Sequence, residues 1–358
     1  MKFHLVSGGC GFVGRSLVQR LLRTTEDNVF VVDDLSTGRH PKFWISPGSS
    51  RCKGDLEILG EEGRLYFLKM DFRRFLSRMI EEEGFLKKAY GVNVDHFSSV
   101  YHFAAIVGGR AKIDGDPIAV ALDLSIDAEF FYWVCRHRPD RVLYASSSAA
   151  YPVRLQNGNE SVALRETDIS FESDRLGRPD MTYGWSKLTG EYLARLTATH
   201  YGIPVACVRP FSGYGEDQDL TYPVPALAAR AARREDPIEV WGSGKQARDF
   251  VHIDDCVDCI LLAADRVCDG SAVNIGSGKR VTFIEVINIL CRIAGYAPAI
   301  KPLYDKPVGV QTRFADTLFA SKKLKWQPRI SLEEGLGRVY KKAQERMRQE
   351  GAAMNTII

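Results

Sequence analysis

The sequence predicts an α/β fold, in which a doubly wound parallel sheet carries a smaller mixed α/β lobe on its C-terminal side. Three observations lead to this prediction: a glycine-rich turn follows the first apolar run, apolar runs alternate with amphipathic runs up to residue 211, and the spacing becomes irregular beyond it. Strands that alternate with helices need crossover connections, and these give a parallel sheet covered on both faces.

Each expected element follows from the pattern of its own segment. Short apolar runs predict strands at residues 2–7, 28–32, 65–70, 98–104, 141–146 and 205–209, and amphipathic or charged runs predict helices at 16–23, 72–88, 117–136 and 183–200. Residues 37–63 are polar and carry Gly, Pro and Ser, which predicts an insertion or long loop. We expect residues 1–211 to form the main unit, residues 212–350 mainly the smaller lobe with segments that can return to the first unit, and residues 351–358 a loose tail.

The first expected strand and helix are joined by a glycine-rich turn. The turn carries Gly8, Gly11, Phe12, Val13 and Gly14. Glycines at these three positions allow a tight turn, a close approach of the backbone to a pyrophosphate and close packing of the helix on the strand. The free N–H groups at the start of the helix would then face the phosphates. This arrangement predicts a Rossmann-type dinucleotide site.

Two acidic residues, Asp33 and Asp34, end the second expected strand about 20 residues after the glycines. A carboxylate there can accept hydrogen bonds from the ribose hydroxyls of NAD, and it would repel the additional phosphate of NADP. Arg39 lies close by and leaves some room for NADP. We expect NAD as the cofactor, against the plainer interpretation of acidic residues in a turn.

Three residues near the ends of later elements predict proton transfer. Tyr183 and Lys187 are four positions apart in an expected helix and therefore share one face. An ammonium next to a phenol favours the phenolate, so the tyrosine can act as a base near neutral pH. Ser147 follows the fifth expected strand and could hold the same substrate hydroxyl. Because ligands bind outside the carboxyl ends of the strands in such sheets, we expect cofactor and serine at one edge.

Composition and charge exclude several classes of protein. The 358 residues carry a net charge of +3 with both signs interspersed, so neither nucleic acid nor a membrane is an expected partner. No apolar run reaches the roughly 18 residues of a membrane helix, and Met1 leads directly into the first strand, so we expect a soluble, cytoplasmic protein without a signal peptide. The eight cysteines are scattered, as reduced thiols would be. Cys256 and Cys259 fall in an apolar helix pattern, so we expect packing there and no metal site.

Further segments follow the order found in a known superfamily. They are His102-Phe103-Ala104-Ala105, Arg209-Pro210-Phe211, Tyr214-Gly215, Trp241-Gly242-Ser243-Gly244, Arg248-Asp249-Phe250-Val251, Asp254-Asp255 and Asn274-Ile275-Gly276-Ser277-Gly278. Together with Asp71 and the motifs above, they run through nearly the whole chain. The chain resembles the extended short-chain dehydrogenases/reductases, in the branch of NAD-dependent nucleotide-sugar epimerases and dehydratases.

The resemblance implies a role for each of the three proton-transfer residues. Tyr183 would take the proton from a sugar hydroxyl while C4 of the sugar gives a hydride to NAD. Lys187 would lower the pKa of the tyrosine and hold the nicotinamide ribose, and Ser147 would hydrogen-bond the reacting oxygen. The resemblance also implies cofactor contacts in addition to the glycine turn, Asp33 and Asp34. These further contacts are Asp71, Phe72, Ala104, Ala105, Tyr183 and Lys187.

A nucleoside-diphosphate sugar is the partner that the resemblance implies. Arg248 and Arg313 would pair with the diphosphate, which suits bidentate guanidinium geometry, although a solvated surface pair is the plainer interpretation. Arg110 either clamps a carboxylate or further hydroxyls of an unusual sugar, or is a surface arginine on a mobile loop. The implied substrate contacts are Gly109, Arg110, Ser148, Ala149, Tyr222, Arg248 and Arg313.

Departures from the family patterns rank the reactions. The 4,6-dehydratases carry an Asp-Glu pair after the catalytic serine, where this chain has Ser148 and Ala149, and neither residue can act as a general acid near neutral pH. The GDP-mannose 3,5-epimerases, which the chain resembles most overall, use a cysteine and a lysine, but Ala149 stands at the cysteine position and residues 217–226 contain no lysine. We therefore expect inversion at C4 through a transient 4-keto sugar, ahead of a GDP-sugar 3,5-epimerase and of a net 4-oxidoreductase or dehydratase.

Proteins that this chain resembles usually form dimers through two helices of each subunit. Those helices would be residues 117–136 and 183–200, and the apolar run 130–134 could supply the surface. Burial of that run against the chain's own sheet explains it nearly as well. We expect a homodimer.

Overall fold

Strands and helices alternate along the part of the chain that the computed structural model describes, which is residues 2–48, 50–94, 96–108, 110–158, 161–173 and 176–355, with the backbone alone at 110–112 and 351–355. The strands are β1 (Phe3–Ser7), β2 (Asn28–Asp33), β3 (Arg51–Lys53), β4 (Leu56–Leu59), β5 (Leu65–Lys69), β6 (Ser99–His102), β7 (Arg141–Ala145), β8 (Val205–Pro210), β9 (Ser212–Tyr214), β10 (Ile238–Trp241), β11 (Ala247–Arg248), β12 (Phe250–His252), β13 (Asp269–Ile275), β14 (Val281–Thr282), β15 (Ile300–Leu303) and β16 (Thr312–Arg313). The helices are α1 (Phe12–Thr24), α2 (Phe72–Glu81), α3 (Phe85–Tyr90), α4 (Arg110–Gly115), α5 (Pro117–Val120), α6 (Asp123–His137), α7 (Met181–Tyr201), α8 (Pro223–Ala232), α9 (Ile253–Arg266), α10 (Phe283–Ala294), α11 (Leu318–Leu324) and α12 (Leu332–Asn355).

One large sheet joins nine of the described strands in the order β13–β8–β7–β6–β1–β2–β5–β4–β3. The strands from β13 to β5 run parallel, and β4 and β3 add an antiparallel hairpin at one edge. Strand β2 is buried along its whole length, as expected for a parallel strand with helices on both faces. The predicted doubly wound α/β fold is confirmed.

Helices cover both faces of this sheet. Helices α1, α9 and α11 contribute buried side chains to the core on one face, and α2, α6 and α7 contribute to the core on the other. The chain moves outward from β1 to β2 and β5, and it then returns to β6 on the other side of β1. The strand order therefore reverses between β1 and β6, which is where ligands bind in doubly wound sheets.

The smaller lobe has a core of its own. Helices α8, α10 and α12 pack around it with β10, and β10 pairs with β15. Strand β11 lies between β14 and β16. Strand β13, in contrast, lies beside β8 in the large sheet, so the C-terminal part of the chain contributes to both units.

Residues 37–63, predicted as an insertion or a long loop, contain the β3–β4 hairpin, so the stretch is not a continuous loop and the alternative of an insertion stands. Strand β4 pairs antiparallel with β5 and buries Leu56 and Ile58. A strand of four residues next to a polar stretch gives too few alternating positions for its pattern to stand out in the sequence.

Several helix boundaries also differ from the prediction. Helix α1 begins at Phe12, directly after the glycine turn. The helix expected at 72–88 is broken at Gly84, whose φ of +68° is left-handed. The helix expected at 117–136 is divided into α5 and α6. At the division, the N–H groups of Ala121 and Leu122 donate to carbonyl oxygens three residues earlier, as in a 3-10 turn. Helix α12 continues through Asn355 into the expected tail, and residues 356–358 lie outside the described part of the chain.

None of the helices in the described ranges is both long and apolar enough to cross a bilayer.

Candidate active site

The glycine turn lies between the carboxyl ends of β1 and β6. Gly8 has a φ of +65°, and a Cβ atom on it would lie 2.7 Å from the backbone nitrogen of Ala104. A Cβ atom on Gly14 would lie 2.3 Å from the carbonyl oxygen of Gly8. These distances require glycine at both positions. Because Gly11 precedes α1 and has no side chain to cap it, the N–H groups of Phe12 and Val13 in the first turn can bind an anion.

Asp33 ties the end of β2 to the glycine turn. Its Oδ2 accepts a hydrogen bond from the backbone N–H of Cys10 at 2.9 Å, and its Oδ1 accepts one from Leu35 at 2.8 Å. Burial raises the pKa of this carboxyl group. Each carboxylate oxygen has a second lone pair, so Asp33 can also accept from a ribose hydroxyl. Asp34 is exposed and accepts from the N–H of Ser36 at 2.8 Å.

The remaining expected cofactor contacts lie at the same edge of the sheet. Asp71 is exposed and caps α2 by accepting from the N–H of Arg74 at 3.1 Å. The ring of Phe72 is buried in the core to which α2 contributes. Ala104 and Ala105 lie in the segment after β6, separated from the strand by Phe103, and are partly exposed. The edge therefore offers a glycine cradle, free helix N–H groups and a carboxylate, and this donor and acceptor set fits NAD.

Ser147, Tyr183 and Lys187 come together beside this cradle. Ser147 precedes the short 3-10 helix Ser148–Ala150 after β7, and its Oγ accepts from the N–H of Ala149 at 3.1 Å. Its hydroxyl lies close enough to Tyr183 to lower the pKa of that phenol. Lys187 is 3% exposed, and its Nζ lies 5.9 Å from the centre of the Tyr183 ring. A Cβ atom on Gly184 would lie 2.5 Å from the carbonyl oxygen of Ala149. The glycine after Tyr183 thus lets α7 pack directly on the segment that carries Ser147.

Burial decides the protonation state of the tyrosine. It raises the pKa of Tyr183 above the ordinary value of a phenol, and this effect exceeds the lowering by Lys187 and Ser147. Lys187 lowers the pKa of Tyr183 as expected, but burial outweighs this effect, so the ammonium by itself does not make the phenol a base near neutral pH. Burial lowers the pKa of Lys187, but Asp127, Asp123 and Tyr183 raise it more, so the ammonium stays charged.

Arg248 and Arg313 lie opposite each other in the parallel pair β11–β16. Arg313 donates from Nη2 to Oδ2 of Asp180 at 2.8 Å, and Asp180 directly precedes α7. Arg248 donates to the carbonyl oxygens of Ala247 at 2.8 Å and Val308 at 3.0 Å. Both side chains are partly buried, which argues against the solvated surface pair. The strand register thus places the two arginines side by side on the lobe.

The other residues expected to contact the substrate differ in their burial and in whether the structure describes them. Ser148 and Ala149 are each 5% exposed. Burial raises the pKa of Tyr222 to about 12, and part of the shift comes from Tyr183, so the two phenols lie within electrostatic range of each other. Gly109 lies outside the described residues. Arg110 begins α4, but its side chain is outside the described part, so the clamp stays a prediction.

Three acidic residues of this site were not predicted from the sequence. Asp123 and Asp127 lie on α6 and are buried near Lys187, and Asp180 pairs with Arg313. The signal for the first two was acidic residues four apart in a largely apolar helix. No local pattern marks Asp180.

A doubly wound sheet with a dinucleotide cradle and an adjoining serine, tyrosine and lysine defines an enzyme of the extended short-chain dehydrogenase/reductase class. Residues 4–276 match the model of the NAD dependent epimerase/dehydratase family. The chain belongs to this family, and its cofactor is NAD.

Individual relatives are similar over almost the full length. A Bacillus subtilis protein named as an uncharacterized UDP-glucose epimerase, YtcB, is 29% identical over 93% of this chain and 95% of its own length. A UDP-glucuronate 4-epimerase of Thermodesulfobacterium geofontis is 25% identical over 96% of this chain and 97% of its own. The structure of a UDP-glucose 4-epimerase of Thermotoga maritima superposes with a TM-score of 0.75 at 24% identity, covering 96% of this chain and 99% of that one.

Proposed function

We propose that the protein inverts C4 of a nucleoside-diphosphate sugar through a transient 4-keto sugar. The observation that carries this proposal is the close packing of the helix with Tyr183 and Lys187 on the segment that carries Ser147, at the edge that holds the NAD cradle. Two relatives with 4-epimerase or epimerase names over almost their full length support the same reaction.

The chain's own residues would move one proton. Tyr183 accepts the proton of the 4-hydroxyl as the C–H bond at C4 breaks, and Ser147 holds the oxygen through a hydrogen bond. The charge of Lys187 stabilises the phenolate form of Tyr183. Bound NAD supplies the hydride acceptor and donor for C4. After the keto sugar turns its other face, Tyr183 returns the proton, so the reaction consumes no reductant.

The residues after Ser147 support epimerisation over dehydration. Ser148 and Ala149 are buried and have no carboxyl group, so water elimination has no acid and base at these positions. The same alanine leaves inversion at C3 and C5 without a cysteine. Arg248 and Arg313 would bind the diphosphate, for which Arg313 must exchange its bond to Asp180 for one to a phosphate oxygen.

The decisive experiment follows UDP-, GDP-, dTDP- and CDP-sugars with the purified enzyme in D₂O by NMR. We expect one of them to change configuration at C4, without incorporated deuterium and without added reductant. Deuterium at C3 or C5 would indicate 3,5-epimerisation instead. Stoichiometric formation or loss of free NADH would indicate a net oxidoreductase, and either result would contradict the proposal.

We also propose a homodimer formed through α6 and α7. Most of the run 130–134 is buried in the chain's own core, but Tyr132 is 53% exposed on α6, and Tyr192 is 44% exposed on α7. Exposed aromatic side chains on adjacent helices are typical of interfaces. Sedimentation velocity should show a dimer that Tyr132→Glu combined with Tyr192→Glu converts to monomers. Tyr304→Glu, on an exposed residue of the lobe, should leave the dimer intact, and a monomeric wild type would contradict this proposal.

A further inference from the structure

A buried hydrogen-bond network lies under Lys187. Asp127 on α6 accepts from Nε2 of His102 at 3.1 Å and from the hydroxyl of Tyr144. Nδ1 of His102 is 2.6 Å from Oγ of Ser7. All four residues are buried, with Asp127 only 2% exposed. The network therefore joins α6, β6, β7 and β1 at the point where the cofactor cradle begins.

The proton positions in this network follow from the charge of Asp127. Lys187, His102 and Tyr144 hold the pKa of its carboxyl group below the usual range despite burial, so it is ionised and only accepts. Burial lowers the pKa of His102, so the imidazole is neutral and carries its proton on Nε2. Nδ1 then accepts from the hydroxyl of Ser7. Oγ of Ser7 in turn accepts from the N–H groups of Phe103 at 3.2 Å and Ala104 at 3.3 Å.

Lys187 lies against the same network. Its Nζ is 5.2 Å from the centre of the Tyr144 ring, the ring whose hydroxyl binds Asp127. A second carboxylate, Asp123, precedes Asp127 by one helical turn, and its Oδ1 accepts from the N–H of Ile106 at 2.6 Å. Both carboxylates raise the pKa of Lys187, and both raise that of Tyr183.

The other titratable groups around this point do not offset the two carboxylates. Glu191 of α7 is neutralised by Arg209 of β8 at 2.6 Å. Burial raises the pKa of Cys207 on β8 and of Tyr144 on β7, so both are uncharged. Tyr222 of the lobe is also a neutral phenol, with its pKa raised to about 12. Lys187 thus faces two carboxylates with one positive charge.

We propose that Asp127, assisted by Asp123, is a positioning residue of the reaction: its negative charge holds the Lys187 ammonium in place beside Tyr183 and, in the resting site, opposes the phenolate form that this ammonium favours. This inference rests on the proposed function. Its rival is that Asp127 only stabilises the core through its two hydrogen bonds. The two explanations differ in one respect, because only a charge effect moves the ionisation of Tyr183.

The test uses Asp127→Asn, which removes the charge and keeps the shape. Phenolate absorbance is followed against pH for this variant and for the wild type, each after subtraction of its Tyr183→Phe counterpart, so that only Tyr183 contributes. We expect the Tyr183 phenolate to form at lower pH in Asp127→Asn. In the acidic range, where kcat/KM still rises with pH, we also expect a change. There the ratio of kcat/KM to its plateau value should be on the order of threefold higher in Asp127→Asn than in the wild type.

Two controls separate charge from structure. Tyr144→Phe removes one hydrogen bond to Asp127 but keeps both carboxylates, and it should leave the Tyr183 titration in place. Asp255→Asn removes another buried carboxylate, one that caps the turn at Arg329 and Ile330 away from Lys187, and it should cost stability without moving the titration. If Asp127→Asn does not fold, the test uses Asp123→Asn, in which the Tyr183 phenolate should likewise form at lower pH than in the wild type.

An unchanged Tyr183 titration in the folded variant, or the same displacement in Asp255→Asn, would overturn the inference. The absorbance measurement needs no substrate. If the wild type inverts none of the nucleotide sugars, the proposed function fails while the titration still decides whether Asp127 controls Tyr183.

Discussion

At the scale of single residues, the site depends on a balance between burial and charge at Tyr183. Burial and two carboxylates oppose the phenolate, whereas Lys187 and Ser147 favour it. A tyrosine in this position has to be a strong enough base to accept a sugar proton and a strong enough acid to return it. A reversible epimerisation needs both, and a phenol held close to its protonated form supplies them.

Removal of the phenol tests this balance directly. Tyr183→Phe should lower kcat by about 100-fold or more, which is the typical contribution of a general base. Tyr192→Phe, on an exposed residue of the same helix, is the matched control and should keep full kcat. The measurement is the steady-state rate of C4 inversion, with thermal unfolding to show that both variants fold. Near-wild-type kcat in Tyr183→Phe would contradict the assigned role.

The pH dependence follows from the sign of the two shifts. Because the pKa of Tyr183 is raised and the phenolate is the base, kcat/KM should rise as the pH increases through the neutral range. Because the pKa of Lys187 is also raised, no alkaline fall caused by loss of its charge should occur below the ordinary titration range of lysine. Lys187→Met removes the charge that stabilises the phenolate, so the rise of kcat/KM with pH should lie at higher pH in this variant than in the wild type. A rise at lower pH would be inconsistent with this assignment.

At the scale of elements, the site is made by close packing of α7 on the segment after β7. Gly184 permits that contact because a Cβ atom there would lie 2.5 Å from the carbonyl oxygen of Ala149. The sequence placed Tyr183 and Lys187 on one helix face, but the depth at which the helix lies was set by this packing. Helix α6 packs beside α7, and this packing brings Asp123 and Asp127 of α6 into the site.

An added methyl group should therefore separate α7 from Ser147. We expect Gly184→Ala to destabilise the protein by about 1–3 kcal/mol and to lower kcat more than it changes KM. Gly337→Ala is the matched control, because a Cβ atom there meets nothing within 4 Å and alanine favours a helix by up to about 1 kcal/mol. Thermal unfolding and steady-state kinetics of both variants decide the matter. Equal effects at the two glycines would reject close packing as the cause.

At the scale of the whole molecule, the smaller lobe meets the large sheet through Arg313 and Asp180. Arg313 belongs to β16 of the lobe, and Asp180 directly precedes the helix that carries Tyr183. Their ion pair is only about an eighth exposed, with values of 13% and 12% for the two side chains. A diphosphate that draws Arg313 away from Asp180 would thus connect substrate binding to the start of the catalytic helix.

Arg313→Ala should raise KM for the nucleotide sugar by about tenfold or more, the usual loss when a charged hydrogen bond is removed. Asp180→Asn should not raise KM, since it removes a carboxylate that competes with the phosphate for Arg313. Arg292→Ala, at an exposed arginine of α10, is the control and should change neither KM nor kcat. If Asp180→Asn raises KM as much as Arg313→Ala does, the ion pair serves the fold and not the diphosphate.

The sequence by itself determined the class of fold and the cofactor. Local patterns carry both, because the glycine turn, the acidic end of β2 and the alternation of strands with helices each depend on neighbours in the chain. The β3–β4 hairpin and the helix break at Gly84 were not predicted from the sequence, because elements this short give too little pattern to recognise.

Only the tertiary structure decided the electrostatics of the site. Asp127 and Lys187 are far apart in the sequence, and so are Asp180 and Arg313, and no local pattern indicates which of them meet. Burial is likewise a property of the folded molecule, and it reversed the direction of the pKa expected for Tyr183 from Lys187 alone. Chemistry that depends on neighbours in space and on the exclusion of water is fixed only when the helices pack on the sheet.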